Sequence, residues 1–64
     1  MSDIILRLHD VKVRVGLSRS SIYAAISSGR FPKPIRLGAR AVGWLESEVT
    51  AWVRQQVESS RVVK

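Results

Sequence analysis

Residues 15–29 of the chain, VGLSRSSIYAAISSG, combine a glycine turn with a short helical pattern. Gly16 can adopt the left-handed conformation that ends a helix, and Ser18 is a residue type that caps the start of the next helix. Three apolar residues at helical spacing would form one face of the helix: Ile22, Ala25 and Ile26. Gly29 ends the run. The stretch therefore predicts a helix over residues 19–28 that follows an earlier helix after a tight turn.

The segment before this turn is compatible with a helix or a strand. One helical face would be formed by residues at i, i+3 and i+7: Leu8, Val11 and Val15. His9 or Asp10 would then stand near the start of that helix. Residues 11–15 also alternate apolar and basic side chains, and valine favours strands. The turn that follows favours a helix, while residues 3–8 predict a short strand or a packed lead-in.

A short β-hairpin is predicted after the second helix. Residues 31–34, FPKP, cannot continue a helix, because proline lacks an amide donor and restricts the residue before it. Residues 35–37 and 41–44 flank Gly38 and predict two strands with the turn at this glycine. The apolar side chains expected to lie on the helices are Ile35, Leu37 and Val42 or Trp44. Arg36 and Arg40 are expected to face outward.

A last helix is predicted from Glu46 to about Glu58, with residues 59–64 fraying. Its apolar face has helical spacing: Val49, Trp52, Val53 and Val57. The predicted fold class is mainly α with a small β-hairpin, in the order helix, turn, helix, hairpin, helix. This order is that of a winged helix-turn-helix.

Length and composition exclude several classes of protein. A chain of 64 residues predicts a single domain over residues 1–64, with a small folded core of about 5–58. No apolar run approaches the ~20 residues that span a bilayer, so we expect a cytoplasmic protein without a membrane partner. With no cysteine, His9 as the single histidine and no nucleophile–base set, we expect no metal, no cofactor and no enzyme.

The charge pattern indicates a polyanionic partner. The formal net charge is +6, and residues 11–45 contain no acidic residue. The same segment contains seven basic residues: Lys12, Arg14, Arg19, Arg30, Lys33, Arg36 and Arg40. A basic segment of this kind favours nucleic acid. A solvated basic face with no partner is the alternative.

The outward face of the predicted helix 19–28 suits the major groove of DNA. Arg19 at its start fits the O6 and N7 atoms of a guanine, although a non-specific phosphate contact is the alternative. Ser20, Ser21 and Tyr23 suit phosphates, and Tyr23 also suits a thymine methyl group, unless its ring belongs to the core.

The hairpin predicts a second contact with the duplex. Arg36 and Arg40 would clamp the adjacent backbone or enter the minor groove, as the wing of a winged helix does. Lys33, between two prolines, and Arg30 complete the predicted set of DNA-binding residues. The alternative is an edge hairpin whose charges prevent aggregation.

Four segments resemble the AlpA family of small phage- and prophage-encoded transcriptional regulators: residues 16–23, 31–38, 40–44 and 46–52. The likeness covers roughly residues 6–54, and Val15 stands where the family commonly has threonine. The resemblance implies a MerR-like or excisionase-like winged helix-turn-helix. By position it implies that Ser18 caps the recognition helix and that the residues at the DNA are Arg19, Ser20, Ser21, Tyr23, Arg36 and Arg40. Trp44 and Trp52 are expected in the core.

The resemblance implies a regulator that binds double-stranded DNA in the bacterial cytoplasm, in association with the nucleoid. Such proteins typically switch on integrase or excision genes. Further expected partners are a second copy of the chain on an adjacent site, integrase and RNA polymerase. Two alternatives stay open: a recombination directionality factor that bends attachment-site DNA, and an antirepressor that binds another regulator.

Overall fold

The computed structural model describes residues 4–62. It contains strand β1 (Ile5–Leu6), helix α1 (Leu8–Val15), helix α2 (Arg19–Ser27), strand β2 (Ile35–Arg36), strand β3 (Val42–Leu45) and helix α3 (Glu46–Val62). The predicted order of helix, turn, helix, hairpin and helix is confirmed, and the fold class is compatible with a winged helix-turn-helix.

Helix α1 settles the choice between helix and strand for residues 11–15. Val11 is fully buried, whereas Val13 is 71% exposed, as one apolar face of a helix requires. The helix begins at Leu8, so His9 and Asp10 stand near its start as predicted, and the Asp10 carboxylate accepts a hydrogen bond from the amide of Arg7 at 3.3 Å. At the other end Gly16 has φ 71° and its amide donates to the Lys12 carbonyl at 2.8 Å. This left-handed residue redirects the chain into α2.

Helix α2 is one residue shorter than predicted. It ends at Ser27, and Ser28 is the cap residue, whose amide donates to the Ala24 carbonyl. Gly29 follows with φ 77°, so the predicted stop signal acts as expected. The inner stripe is also confirmed, since Ile22 is fully buried and Ala25 and Ile26 pack against the core.

The hairpin belongs to a three-stranded antiparallel sheet in the order β1-β3-β2. The chain before α1 is therefore a strand and not only a packed lead-in: Leu6 pairs with Trp44. On the other side of β3, Ile35 pairs with Gly43 and Arg36 with Val42. The turn closes through the Leu37 amide, which donates to the Ala41 carbonyl at 2.7 Å.

The predicted facing of β2 was wrong. Residues that pair across an antiparallel sheet share a face, so Arg36 lies on the face of Val42, and Ile35 on the opposite face. A Cβ added at Gly43 would meet the side chains of Ile5 and Leu37, which confirms that these two lie opposite the buried Trp44. The loop sets this register. Ile35 and Leu37 are consequently 37% and 44% exposed instead of lying on the helices.

Six side chains form the buried core: Leu6, Val11, Ile22, Phe31, Trp44 and Val49. Trp44 is fully buried, as predicted, and Trp52 is half-buried with its ring 4.9 Å from that of Phe31. Helix α3 continues to Val62 and so extends about one turn beyond its predicted end near Glu58. Of the residues predicted to fray, 63 and 64 lie outside the described residues.

Candidate nucleic-acid interface

The start of α2 is held by two serines. The Ser18 hydroxyl accepts a hydrogen bond from the Ser21 amide at 3.2 Å and donates one to the Ser21 hydroxyl oxygen at 3.1 Å. The expected cap at Ser18 is therefore formed. The exposed side chains on α2 and its cap include all of those predicted to face DNA: Ser18, Arg19, Ser20, Ser21 and Tyr23.

Arg19 and Tyr23 form a pair on the outer surface of α2. The guanidinium carbon of Arg19 lies 5.8 Å from the centre of the Tyr23 ring, one helical turn away. The Tyr23 ring is 36% exposed and also meets the Trp44 ring at 6.4 Å. One edge of the ring packs on the core, so the core alternative for Tyr23 holds in part, while its contact with DNA stays a prediction.

Two tryptophans fix the backbone between α2 and the hairpin. Trp52 donates its indole N–H to the Arg30 carbonyl at 2.7 Å, and Trp44 donates to the Pro32 carbonyl at 2.9 Å. The side chains of Arg30 and Lys33 are exposed on this segment. Basic side chains therefore project from a backbone that the core holds in place.

The hairpin places Arg36 and Arg40 in solvent, with Arg36 on β2 and Arg40 in the loop before β3. Arg36 shares the sheet face of Val42, which is the face toward the helices. It is exposed there because β2 packs mainly on β3. Arg36 therefore lies on the side of the sheet where α2 lies.

Sequence reasoning missed Arg7. This residue precedes α1, yet its Nε donates a hydrogen bond to the carbonyl oxygen of Val42 at 3.0 Å. Arg7 lies outside the acid-free segment of residues 11–45, and its partner is 35 positions away in the chain. No local pattern identifies such a contact. It depends on the pairing of β1 with β3.

The acidic side chains lie on other elements. The Glu46 carboxylate lies 2.8 Å from the Nη2 atom of Arg14. This ion pair offsets the positive charge of Arg14. In the part of the chain that the structure describes, no carboxylate lies within 4.0 Å of the guanidinium of Arg19, Arg36 or Arg40. The positive charge of α2 and the hairpin is therefore not neutralised by ion pairs among residues 4–62.

Residues 4–62 contain neither a cluster of metal-ligating side chains nor a membrane-spanning helix. No group of three His, Asp or Glu side chains there could hold a metal ion. No helix within that range is long and apolar enough to cross a membrane.

Comparison with known proteins assigns the chain to a family. Residues 4–57 match the family model described as the prophage CP4-57 regulatory protein (AlpA). The DNA-binding transcriptional activator AlpA of Escherichia coli K12 is 36% identical in an alignment 58 residues long, and the alignment covers 81% of this chain and 83% of that protein. Protein ORF88 of Enterobacteria phage P4 is 48% identical over 52 residues. That alignment covers 81% of this chain but 59% of the phage protein, so the chain spans about six tenths of its length. The chain belongs to the AlpA family of prophage regulatory proteins.

Proposed function

We propose that the chain is a sequence-specific DNA-binding regulator of transcription, encoded by a phage or an integrated element. In this proposal α2, residues 19–27, is the recognition helix and enters the major groove, and the wing, residues 35–44, contacts the adjacent backbone or minor groove. The observation that carries the proposal is the contact between Tyr23 on α2 and Trp44 on β3. It joins two acid-free, exposed basic elements at a fixed spacing.

Base recognition is assigned to the outer face of α2. Arg19 stands at the helix start, where the N-terminal residues of recognition helices contact base edges. Its guanidinium suits a guanine, and its position beside the Tyr23 ring restricts the directions in which it can point. The Tyr23 ring would contact a thymine methyl group. Ser20 and Ser21 would contact the phosphates that flank these bases, while Ser18 holds the cap.

Backbone contact is assigned to four basic side chains: Arg30, Lys33, Arg36 and Arg40. All four are exposed. Arg30 and Lys33 project from the segment that the two tryptophans fix, so little backbone ordering would accompany binding. Each phosphate contact releases counterions, and four contacts give a slope of log affinity against log salt of about −3.6.

A transcriptional role is proposed ahead of the directionality-factor role because the relative in Escherichia coli is named a transcriptional activator. We place the action of the chain on bacterial or phage DNA in the cytoplasm, at the nucleoid. Self-association on adjacent sites and contact with integrase or RNA polymerase belong to the same proposal. No catalytic step is assigned to the chain.

Selection from a random pool of duplexes tests this function. The purified chain is expected to enrich a defined sequence, and binding to that sequence should resist competition by random duplex. Its salt slope should be about −3.6 or steeper. Failure to prefer any duplex over random competitor, even in dilute buffer, would contradict the proposal. The antirepressor interpretation would then take its place, with a protein as the partner.

A further inference from the structure

We propose that Arg7 contacts the DNA backbone as part of a wing clamp, a group of three arginines that consists of Arg7, Arg36 and Arg40. The inference rests on the proposed function and deepens it. The nine predicted DNA-binding residues lie between Ser18 and Arg40. Arg7 would add a contact from the N-terminal part of the described chain.

The first support is the way in which Arg7 is held. Its Nε donates to the Val42 carbonyl oxygen at 3.0 Å, while its side chain is exposed. A guanidinium has five N–H donors in a rigid fork, so one bond to a carbonyl leaves the terminal nitrogens available for a phosphate. An arginine already fixed by one hydrogen bond also loses less conformational entropy when it binds.

The second support is that Arg7, Arg36 and Arg40 all lie near Val42. Val42 is the register partner of Arg36, and Arg40 precedes it by two positions. Paired residues of antiparallel strands have Cα atoms ~4.5–5.5 Å apart, and two residues of extended chain span at most ~7 Å. The side chains of Arg36 and Arg40 therefore start close to the Val42 carbonyl that the Arg7 guanidinium contacts. One stretch of phosphates can meet all three.

The third support is charge. Among residues 4–62, no carboxylate oxygen lies within 4.0 Å of the Arg7 guanidinium. The Asp10 carboxylate next to it accepts from the Arg7 backbone amide. In contrast, the guanidinium of Arg14 on α1 is paired with Glu46. Arg7 therefore keeps its positive charge available beside the wing.

The experiment measures the salt slope for a duplex that the wild-type chain binds. With Arg7 as a fifth backbone contact, the slope should be about −4.5, and Arg7→Ala should reduce its magnitude by about 0.9. Arg7→Gln removes the same charge while it keeps a polar side chain, and it replaces the alanine variant if that variant does not fold. Circular dichroism establishes that each variant is folded.

Arg61→Ala is the matched control, because it removes one positive charge from the last turn of α3, outside the proposed surface. A slope reduced equally by Arg61→Ala would overturn the inference, since the effect would then reflect total charge. An unchanged slope in both Arg7 variants would also overturn it. In that case the proposed function would still stand, because the wild-type slope and sequence preference are measured in the same series.

A second comparison separates contact from support of the wing. If Arg7 only positions the wing, its removal should change nothing once Arg36 and Arg40 are already alanine. If Arg7 meets a phosphate itself, the triple variant should lose a further ~0.9 of slope relative to the Arg36→Ala/Arg40→Ala variant. An identical slope in the double and triple variants would contradict the proposed contact.

Discussion

The rings of Tyr23 and Trp44 meet edge to face, with centroids 6.4 Å apart and planes at 66°. Tyr23 lies on the outer surface of α2, and Trp44 is the fully buried residue of β3. Trp44 also donates its indole N–H to the Pro32 carbonyl at 2.9 Å. One side chain therefore sets the position of α2, the proline segment and the hairpin relative to one another.

Trp44→Phe should destabilise the protein more than Trp52→Phe. Both substitutions remove an indole donor to a backbone carbonyl, but the Trp44 bond is partly buried and the Trp52 bond is exposed. A buried acceptor left without a partner costs about 1–3 kcal/mol, whereas water replaces an exposed bond. Urea unfolding followed by tryptophan fluorescence measures both changes. Equal losses for the two variants would show that the Trp44 hydrogen bond has no special role.

Ser18→Ala should lower the free energy of unfolding by about 1 kcal/mol, because the Ser21 amide loses its acceptor at the start of α2. Ser20→Ala is the matched control, since Ser20 is an exposed residue within the helix. Its effect on stability should stay within about 0.5 kcal/mol. Thermal unfolding by circular dichroism measures both. A Ser18 variant as stable as the Ser20 variant would contradict the assignment of the cap.

Gly43→Ala should destabilise the sheet by about 1–3 kcal/mol through overpacking. The added methyl group would meet the Ile5 side chain and lie 3.0 Å from the Leu6 carbonyl oxygen, so β1 would have to shift. Gly38→Ala is the control, because a Cβ there has nothing within 4 Å. Chemical denaturation distinguishes the two. If Gly43→Ala were tolerated as well as Gly38→Ala, the close packing of β1 on β3 would be in doubt.

Arg19→Ala and Arg40→Ala should alter DNA binding in different ways. Loss of Arg19 should relax the preference at one base position, with ~1–3 kcal/mol less discrimination there. Loss of Arg40 should weaken all sequences similarly and reduce the salt slope by about 0.9. Binding to a set of singly substituted duplexes at several salt concentrations measures both effects. Identical behaviour of the two variants would refute this division of roles.

The helical part of the fold was predictable because its signals are local. Gly16, Ser18 and Gly29 mark where α1 ends and where α2 begins and ends, and each acts in the structure as its residue type predicts. The exposure of the predicted DNA-binding residues could be derived in the same way. Once Ile22, Ala25 and Ile26 are placed inside the core, helical geometry turns Ser20 and Tyr23 away from it.

The facing of the hairpin was not predictable, because strand register depends on how a loop closes. Alternation alone placed Ile35 and Leu37 on the helices, but pairing of Ile35 with Gly43 turns both to the opposite face. The contact of Arg7 with Val42 could not be predicted from local patterns either, because it joins residues 35 positions apart. No residue type that ends helices marks the end of α3 in the sequence, so its extension to Val62 could not be predicted.

The proposed DNA-binding surface can be mapped by titrating the isotope-labelled chain with the selected duplex and following each backbone amide by NMR. We expect the largest shift changes on residues 19–27, on Lys33 and on the hairpin, residues 35–44. Amides along the groove of about 310 Å³ that includes Val49, Val53 and Val57 on α3 should stay nearly unchanged. Shift changes centred on that groove, with α2 and the hairpin unaffected, would contradict the account.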